Sequence, residues 1–589
     1  MKPLSNVRAG RRQEAQAKCG EHEWLHARLR GDLKLNLEET GFEKGGVMKV
    51  LLNKQLRYGA AIAVLTLGLV PTGVHAFQID TGSDVKIRWD NTIKYSAAFR
   101  VRSPDDRLLA NVNGDDGNRN FDKGLISNRI DLLSEFDISY RGFGFSASGA
   151  AWRDQVYFSN TDNDSPATAN SYSVSNDSFT RETRDQHGQK VELLNAFIYG
   201  NVDLRDVPLN FRAGRHTLLW GESLFGADNG IAYGQAPIDY VKLNSVPNTQ
   251  AKELFMPVTQ ISGTAQLTEQ LTVAAYYQLE WRKSRIPAAG SYFSDADILD
   301  RGGERLSFAP VVGIADLYRG DDQEASDSGQ FGVSFHYLPS GIDLDLGFYA
   351  LRFNDKQPQV YLSPGAGVGP GSPPDKVGEY SLVYAEGIEL YGISASTTLF
   401  GMNVAGEVST RRNTPLVSSV VLAPGQVADN DGNPAYAVGN SLHAQISAIQ
   451  VLGPGPAGLW DSAVLLGEVT TNHVMSITEN EAAFDPARSR TAVGFRGVVE
   501  ASYFQVAPGI DLTVPIGLGY NPLGKSGVAT KFNSGGNGTT RGGDVSIGLT
   551  VLYQQTWRAG VNYTHYYGNH ETQTQLDRDF ISFTIQRSF

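Results

Sequence analysis

Long runs of alternating apolar and polar residues limit the folds open to this chain more than any other feature. In residues 85–101, Val85, Ile87, Trp89 and Tyr95 share one parity, and the charged residues share the other. Such alternation is typical of a β-strand with two different faces. These runs cover about 10–17 residues, whereas strands of soluble proteins usually have about 5–6.

The same pattern recurs along the chain. In residues 126–141, Ile126, Ile130 and Leu132 lie on one face, and charged residues lie on the other. A transmembrane β-strand needs about 9–11 residues. Lipid also requires an apolar outer face and a closed sheet that leaves no backbone group unpaired. We therefore predict an all-β fold, a closed antiparallel transmembrane β-barrel.

The links between the strands alternate between short and long. Short links lie near residues 141–143, 206–208 and 400–402, and long polar links lie between them, as at 102–124 and 159–188. This alternation is typical of outer-membrane barrels, which have short periplasmic turns and long extracellular loops. The count predicts about eighteen strands, with sixteen as the alternative.

The region before the barrel resembles a secretory signal. Residues 48–76 combine the basic residues Lys49, Lys54 and Arg57 with a short apolar run at 58–70 and a small-x-small site that ends at Ala76. We predict a signal peptide that is cleaved after Ala76. A transmembrane helix is the alternative, but the apolar run is shorter than the roughly 20 residues such a helix needs.

Residues 1–47 precede this signal, and we interpret them as a misannotated upstream extension. A genuine cytoplasmic extension is the alternative. The single cysteine, Cys19, lies in this piece, so residues 77–589 cannot form a disulfide. We expect these residues, 77–589, to form the outer-membrane barrel.

The charge of the barrel region argues against nucleic-acid binding. The chain has 51 Lys and Arg and 63 Asp and Glu, and residues 1–76 hold 12 and 7 of them. Residues 77–589 therefore hold 39 and 56, a net charge of −17. An acidic exported chain is a poor nucleic-acid ligand, and we expect no such partner.

Charged residues on the polar face of the strands are candidates for the lining of the lumen. Lumenal charges set selectivity in a wide barrel. Alternatively, charges of opposite sign only pair across neighbouring strands and stabilise the wall. The candidates are Arg88, Lys94, Arg129, Asp131, Glu135, Arg141, Glu280, Arg282, Asp343, Asp345, Glu407, Arg411, Arg496 and Glu500.

The link at residues 220–258 contains more apolar residues than an exposed loop usually does. This composition predicts that the link folds into the lumen as a constriction or plug, and a sticky extracellular loop is the alternative. The constriction candidates are Trp220, Glu222, Phe225, Tyr233, Tyr240 and Phe255.

The last strand resembles the closing strand of a barrel. Phe583, Ile585 and Phe589 share the apolar parity, which Arg587 interrupts. We expect this strand to pair with the first strand, near residues 84–101, and so to remove the last open edge. We also expect Phe583, Ile585 and Phe589 to form the signal that the barrel-assembly machinery recognises.

Metal and catalytic motifs are weak in this sequence. Residues 111–121 and 429–433 resemble calcium loops only superficially, because neither has the full ligand spacing. We predict that both are surface turns and that the chain holds no metal or other cofactor. The sequence has no G-x-S-x-G, H-E-x-x-H or P-loop motif, so we do not expect an enzyme.

Several short segments resemble a known family. DDGNRNF at 115–121, GRHTLLWGESLF at 214–225 and YYQLEWRKSRIP at 276–287 are similar to those of domain-of-unknown-function family 1302 (DUF1302) of Gram-negative bacteria. The resemblance extends over residues 77–589. It implies an outer-membrane barrel linked to a DUF1329-type protein and to a resistance-nodulation-division transporter.

These observations lead to a functional hypothesis. We expect a channel or transporter in the outer membrane of a Gram-negative bacterium, in contact with its lipid. The resemblance implies the passage of hydrophobic or lipid-like small molecules, together with a periplasmic partner and an inner-membrane transporter. The alternatives are a general small-solute porin, or an outer-membrane enzyme or adhesin with a plugged barrel. The sequence leaves the solute, the direction of transport and the oligomeric state open.

Overall fold

The computed structural model describes residues 77–80, 83–205, 207–245, 251–419, 421–533 and 540–589. The upstream extension (1–47), the signal peptide (48–76) and its cleavage site at Ala76 lie outside the described residues. Within these described ranges, no helix has both the length and the hydropathy that a bilayer-spanning helix requires.

The described residues form an almost entirely β structure. Its strands, in chain order, are β1 (Phe77–Asp80), β2 (Val85–Arg100), β3 (Gly124–Tyr140), β4 (Phe143–Asp154), β5 (Gln189–Leu204), β6 (Val207–His216), β7 (Val258–Gln266), β8 (Leu271–Gln278), β9 (Arg305–Ser307), β10 (Asp316–Arg319), β11 (Gln330–Tyr337), β12 (Asp345–Phe353), β13 (Gln359–Pro364), β14 (Lys376–Val383), β15 (Ile388–Leu399), β16 (Met402–Pro415), β17 (Val438–Leu452), β18 (Ser462–Glu479), β19 (Thr491–Ala507), β20 (Ile510–Leu523), β21 (Gly543–Tyr553), β22 (Trp557–Tyr567) and β23 (Phe580–Ser588).

Eighteen of these strands form one closed antiparallel barrel. Each barrel strand pairs with the next one along the chain, and β2 also pairs with β23, so the sheet has no open side. At this seam Tyr95 lies opposite Ile585, and Ala97 lies opposite Phe583. The predicted closed barrel of eighteen strands is therefore confirmed, and the sixteen-strand alternative is wrong.

The short strand β1 completes the seam and was not predicted. Strand β23 pairs only with Thr92–Arg100 of β2, and the main chain of Phe589 exchanges hydrogen bonds with Asn91 at 2.8 and 2.9 Å. Strand β1 pairs with the next part of the same edge, so that Phe77 lies opposite Trp89 and Asp80 opposite Lys86. Backbone groups that β23 would leave unpaired are satisfied in this way.

The outer face of the barrel is apolar, as the alternation predicts. Ile93 and Tyr95 are 41% and 45% exposed, whereas Lys94 and Ser96, which point inward, are only 4% and 3% exposed. Phe583 and Ile585 of the closing strand belong to the same outer face. A lipid-facing surface accounts for large apolar side chains that have no protein partner on this side.

One residue departs from the predicted alternation. The pairing between β2 and β3 shifts by one residue between Ala98 and Phe99, because Ala98 lies opposite Ser127 and Phe99 opposite Leu125. This bulge turns Ile126 inward, where it is 3% exposed, and leaves Leu125 on the outer face. The prediction that Ile126 lies outside was wrong for this reason.

The two ends of the barrel have different connections. At one end, the short-turn end, the links have at most nine residues: 141–142, 205–206, 267–270, 338–344, 400–401, 453–461, 508–509 and 554–556. At the other end, the long-loop end, they are 101–123, 155–188, 217–257, 279–329, 354–387, 416–437, 480–490, 524–542 and 568–579.

A second, smaller sheet covers part of the long-loop end. Strands β9 and β10 of the 279–329 loop join β13 and β14, and the order is β13-β14-β10-β9. Leu317, Leu362 and Tyr380 form part of the apolar core beneath this sheet. Alternation alone could not predict it, because its strands have only three to eight residues.

Candidate functional site

The described part of the link between β6 and β7 lies inside the barrel, and we call residues 217–245 and 251–257 the crossing segment. It contains a short 3-10 helix at Ile231–Gly234 and short α-helices at Tyr240–Ser245 and Ala251–Leu254. The segment leaves the wall at β6, yet it makes hydrogen bonds to β16 and β18, which lie six and eight strands further around the barrel. It therefore extends across the lumen.

Glu407 of β16 binds the main chain of the crossing segment. One carboxylate oxygen accepts from the N–H of Ile231 at 2.8 Å, and the other accepts from the N–H of Glu222 at 2.7 Å. Glu407 is 4% exposed, and Gln445 of β17 also donates to it at 3.0 Å. A carboxylate that accepts several backbone N–H groups is fixed in position.

Glu468 of β18 does the same a few residues further along the segment. Its carboxylate accepts from the N–H groups of Leu224 and Gly226, both at 2.6 Å, and from that of Phe225 at 3.2 Å. Glu468 is 2% exposed. Two buried wall carboxylates therefore satisfy the backbone donors of an irregular segment, which would otherwise be costly to bury.

Arg411 of β16 satisfies the acceptors of the same segment. Its Nη2 donates to the main-chain oxygens of Asp228, Asn229 and Gly230 at 3.2, 3.0 and 3.0 Å. Its guanidinium carbon lies 4.6 Å from the centre of the Tyr233 ring. The wall thus provides hydrogen-bond partners of both kinds for the crossing segment. Arg411 donates to its main-chain oxygens, and Glu407 and Glu468 accept from its main-chain N–H groups.

The apolar residues of the segment pack against the part of the wall that lies between β7 and β16. Trp220 and Ile231, which are 7% and 0% exposed, form a cluster with wall residues of β8, β12 and β15. The Trp220 ring centre lies 5.1 Å from that of Tyr276. This packing accounts for the unusually apolar composition of the link.

A charged cluster surrounds the end of the segment nearer β7. The carboxylates of Glu192 on β5 and Asp239 both bind Arg285, and Lys242 lies 3.5 Å from Glu253. On the wall beside it, the ring of Trp152 has three cations around it: Arg129 at 4.7 Å, Lys242 at 5.3 Å and Arg285 at 5.5 Å.

Many of the predicted lumen residues do point inward. Five of them lie buried under the loops: Lys94, Arg129, Asp131, Glu407 and Arg411. Arg129 donates to Asp131 of the same strand, with a closest distance of 2.7 Å. Four others lie on the same inward face but are at least partly exposed: Arg88, Glu135, Arg496 and Glu500. The lumen is therefore filled by protein at some levels and open to solvent at others.

Three further predicted residues pair with other side chains of the wall. Arg88 pairs with Asp90 at 3.1 Å, and Arg496 pairs with Asp544 at 3.4 Å. Asp345 is the first residue of β12 and lies 3.1 Å from Nδ1 of His336.

Four of the predicted lumen residues lie outside the strands, so the strand ends that the alternation indicated for them are corrected. Arg141 is in a short turn with a φ of +48° and pairs with Asp84, and Asp343 is exposed in the 338–344 turn. Glu280 and Arg282 follow the end of β8 at Gln278. The alternating pattern extended beyond the true strand ends, because residues of the adjacent turn happen to be polar or apolar at the positions that the pattern requires.

Glu280 and Arg282 nevertheless hold the base of the crossing segment. Glu280 binds Arg215 at 3.0 Å and the main-chain N–H of Thr259 at 2.9 Å. Arg282 donates to the main-chain oxygen of Pro257 at 3.3 Å.

The constriction candidates all belong to the crossing segment. Trp220 is buried, and five others are partly exposed: Glu222, Phe225, Tyr233, Tyr240 and Phe255. Tyr233 donates to the carboxylate of Asp355, which follows β12. Ile238 and Phe255 form an isolated antiparallel bridge that joins the middle of the segment to its end.

Glu222 is a titratable group of the segment that lies near two other carboxylates. Burial, together with the nearby carboxylates of Asp345 and Glu407, raises its pKa to about 7. A carboxylate inside a narrow lumen that titrates near neutral pH can change the charge of the passage.

Sequence reasoning missed Glu468, Asp239, Glu192 and Arg285. Glu468 could have been found, because it has the inward parity of β18. Asp239 and Arg285 lie in loops, where alternation gives no information about direction.

Comparisons with known proteins place the chain in a family. The model of the family described as "Protein of unknown function (DUF1302)" matches residues 57–589, and no curated protein matches the sequence. Among solved structures, the chain is similar to OccAB1 of Acinetobacter baumannii, with 9% identity, a TM-score of 0.41 and coverage of 87% of this chain and 99% of that one.

Two further solved structures are similar to this chain, again with 9% sequence identity. A BenF-like porin from Pseudomonas fluorescens Pf-5 has 9% identity, a TM-score of 0.39 and coverage of 85% of this chain and 98% of that one. Salmonella typhi OmpF, in complex with daunomycin, has 9% identity, a TM-score of 0.33 and coverage of 87% and 100%. Because the family model covers most of the sequence, the chain belongs to the DUF1302 family.

Proposed function

We propose that this protein is a passive channel of the Gram-negative outer membrane, with the long loops on the outside and the crossing segment as its constriction. The observation that carries the proposal is the binding of that segment to the far wall by Glu407, Glu468 and Arg411. These contacts fix the segment at one position in the lumen, as the selectivity region of a channel requires.

The composition of the wall supports small polar solutes. The inward face carries charges of both signs, among them Arg88, Arg496 and Glu500, which have exposed surface in the lumen. A polar solute that crosses this lumen can exchange water for these groups, whereas an apolar solute cannot. This supports the general small-solute porin that the sequence analysis gave as an alternative.

The passage of hydrophobic or lipid-like molecules stays a prediction from the family resemblance. One feature favours it: the apolar cluster around Trp220, Ile231 and Tyr276 lies within the lumen. If the segment moved, this cluster would become an apolar surface on the path. The DUF1329-type partner and the inner-membrane transporter are part of the same prediction, and co-purification from a native membrane would test them.

Planar bilayer recording tests the channel. We expect the wild-type protein to give small, uniform conductance steps, and deletion of residues 222–231 to give larger steps because the constriction is gone. The matched control deletes residues 366–372 from the β13–β14 loop, which lies outside the barrel, and should leave the step size unchanged.

Two outcomes would contradict the proposal. If both the wild type and the 222–231 deletion are silent while correctly inserted, the protein is not a channel, and the enzyme or adhesin alternative gains. If the two variants conduct alike, the crossing segment does not limit the passage. Uptake of a fluorescent lipid by proteoliposomes, without ion conductance, would favour the lipid-like solute.

A further inference from the structure

Three aspartates from two different loops meet at the long-loop end of the barrel. Asp115 and Asp116 lie in the 101–123 loop, and Asp297 lies in the 279–329 loop. One carboxylate oxygen from each of them lies within 4.8 Å of the others. We call these residues the three-aspartate site. Residues 111–121 were predicted to be a surface turn, and the burial of this site shows that they are not.

The three carboxylates are buried. Asp115 and Asp297 are 0% exposed, and Asp116 is 7% exposed. Moving an ionised carboxylate out of water is costly unless an opposite charge or several donors compensate for it. Three of them side by side also repel one another. The site therefore needs more positive charge or more donors than an ordinary loop does.

The protein supplies only part of this compensation. One oxygen of each carboxylate has a donor: Arg119 for Asp115, the main-chain N–H of Asn170 for Asp116 at 3.0 Å, and that of Asp116 for Asp297 at 3.0 Å. Within the described ranges, Arg119 is the one cation in a salt bridge with the site. The other oxygen, Oδ1, has no hydrogen-bond partner in any of the three residues.

Two amide oxygens next to the site also have no partner. Asn170 donates its main-chain N–H to Asp116, and Asn120 donates its main-chain N–H to the main-chain oxygen of Asp116 at 2.9 Å. The side-chain oxygens of both are buried and accept no hydrogen bond. Five buried oxygens without donors in one region are unusual, because buried polar atoms are nearly always paired.

We propose that the three-aspartate site binds a Ca²⁺ ion. Calcium takes six to eight oxygen ligands from carboxylates and amide carbonyls in flexible geometry. Mg²⁺ fits less well, because it keeps several waters and the site is closed to solvent. One divalent ion, together with Arg119, would balance the charge of the three carboxylates.

The position of the site indicates what the ion does. It joins the loop after β2 to the loop after β8, which already touch closely: a Cβ on Gly117 would lie 2.5 Å from the main-chain oxygen of Ser291. Just beyond it, Phe121 and Tyr292 pack within an apolar cluster over the inward faces of β2 and β3. The ion would therefore fix the loops that cover this part of the lumen.

Protonation is the competing way to relieve the same repulsion. Burial, together with the neighbouring carboxylates, raises the pKa of Asp297 to about 7 and that of Asp116 well above its ordinary value. If protons replace calcium at this site, the protein binds no ion. Replacement of Asp297 by asparagine would then leave the unfolding temperature unchanged or raise it.

Measurement of calcium binding by the purified protein in detergent micelles distinguishes a calcium site from a protonated one. After treatment with EDTA and removal of the chelator, titration calorimetry with CaCl₂ should show one site per chain, with a dissociation constant of about 1 mM or lower, the range of extracellular calcium modules. We expect Asp116→Asn and Asp297→Asn to weaken binding about tenfold or more, since the charge of the ligands sets affinity. Calcium should also raise the unfolding temperature of the wild type and not that of these variants.

Asp106→Asn is the matched control, because it removes the same charge from an exposed position in the same loop. It should bind calcium like the wild type. Migration of unheated samples in electrophoresis verifies that each variant is a folded barrel. The proposal is overturned if the folded wild type binds no calcium at about 5 mM, above the usual range for such sites, or if Asp116→Asn and Asp297→Asn bind it as tightly as the wild type.

Discussion

Glu407 and Ile231 are joined by a hydrogen bond of 2.8 Å from the main-chain N–H of Ile231 to the buried Glu407 carboxylate. Glu407 belongs to β16, whereas the segment that contains Ile231 starts at β6, six strands away in the barrel. The hydrogen bond therefore forms only when the crossing segment lies in its place across the lumen. Because the donor is a main-chain N–H, the bond depends on where the segment lies and not on the side chain of Ile231.

Replacement of the wall carboxylates should loosen the crossing segment. Glu407→Gln and Glu468→Gln each keep the size of the side chain but weaken hydrogen bonds to a buried backbone, and each donor left unsatisfied costs about 1–3 kcal/mol. In bilayer recordings we expect larger steps or rapid fluctuation between levels, most strongly in the double variant. Glu500→Gln removes an inward charge of β19 that makes no hydrogen bond to the described residues of the crossing segment, and it is the control. Steady wild-type levels in the double variant would contradict the assigned role of these two residues.

The selectivity of the channel should depend on pH through Glu222. Because the pKa of Glu222 is raised to about 7, this carboxyl is neutral below that pH and negative above it. We expect the preference for cations over anions, measured as a reversal potential in a salt gradient, to increase as the pH rises from about 6 to about 8.

Three charged or titratable groups lie near Glu222: Asp345, Glu407 and His336. The experiment must therefore show that the pH dependence comes from Glu222 itself. Glu222→Gln should abolish most of the change between these pH values, whereas Glu500→Gln should retain it. A pH dependence that survives Glu222→Gln would assign the effect to another group.

Gly221 should not tolerate a side chain. Its φ is +94°, and an added Cβ would lie 2.2 Å from a carboxylate oxygen of Glu407. Gly221→Ala combines backbone strain of roughly 1–2 kcal/mol with displacement of that carboxylate. We expect a lower unfolding temperature and a disturbed conductance.

Gly365→Ala separates these two effects. Gly365 has a similar φ of +81°, and an added Cβ there meets nothing within 4 Å. It should therefore show the strain in its unfolding temperature and a normal conductance. Equal conductance changes in both variants would mean that the contact with Glu407 is unimportant.

Loss of the terminal aromatic residue should impair assembly. The main chain of Phe589 exchanges two hydrogen bonds with Asn91 at the seam, and the Arg587 guanidinium lies 6.0 Å from its ring centre. Deletion of Phe589 should leave export intact and reduce the amount of folded protein in the outer membrane, measured by electrophoresis of unheated membranes. Phe589→Tyr keeps the aromatic ring and the backbone and should assemble normally. Normal assembly of the deletion would show that the residue is no part of a recognition signal.

The barrel could be predicted from local pattern alone. A strand with one face in lipid and the other in a polar lumen must alternate, and the alternation is visible in residues such as Ile93, Lys94 and Tyr95. The alternation failed where a local irregularity reset it and where a strand ended earlier or began later than the pattern indicated. One such place is the bulge that turns Ile126 inward, and others are the strand ends before Arg141 and Glu280.

The contents of the lumen could be predicted only in part. The apolar composition of residues 220–258 indicated an unusual loop, and inward parity indicated Glu407 and Arg411. Neither observation could show that Glu407 and Glu468 bind the backbone of that loop, since the partners are separated by more than 170 residues. The three-aspartate site was dismissed for a similar reason, because Asp297 comes from a loop 181 residues away from Asp116.

For this protein the sequence by itself determined the barrel, its lipid-facing side and its closing strand, and it predicted about eighteen strands, with sixteen as the alternative. Each of these follows from the period of two along a strand and from the need to pair every backbone group in lipid. Only the tertiary structure decided where the loops go and which charges meet. Loop residues have no fixed period, and their partners are chosen by proximity inside a closed wall, which arises only when all eighteen strands are in place.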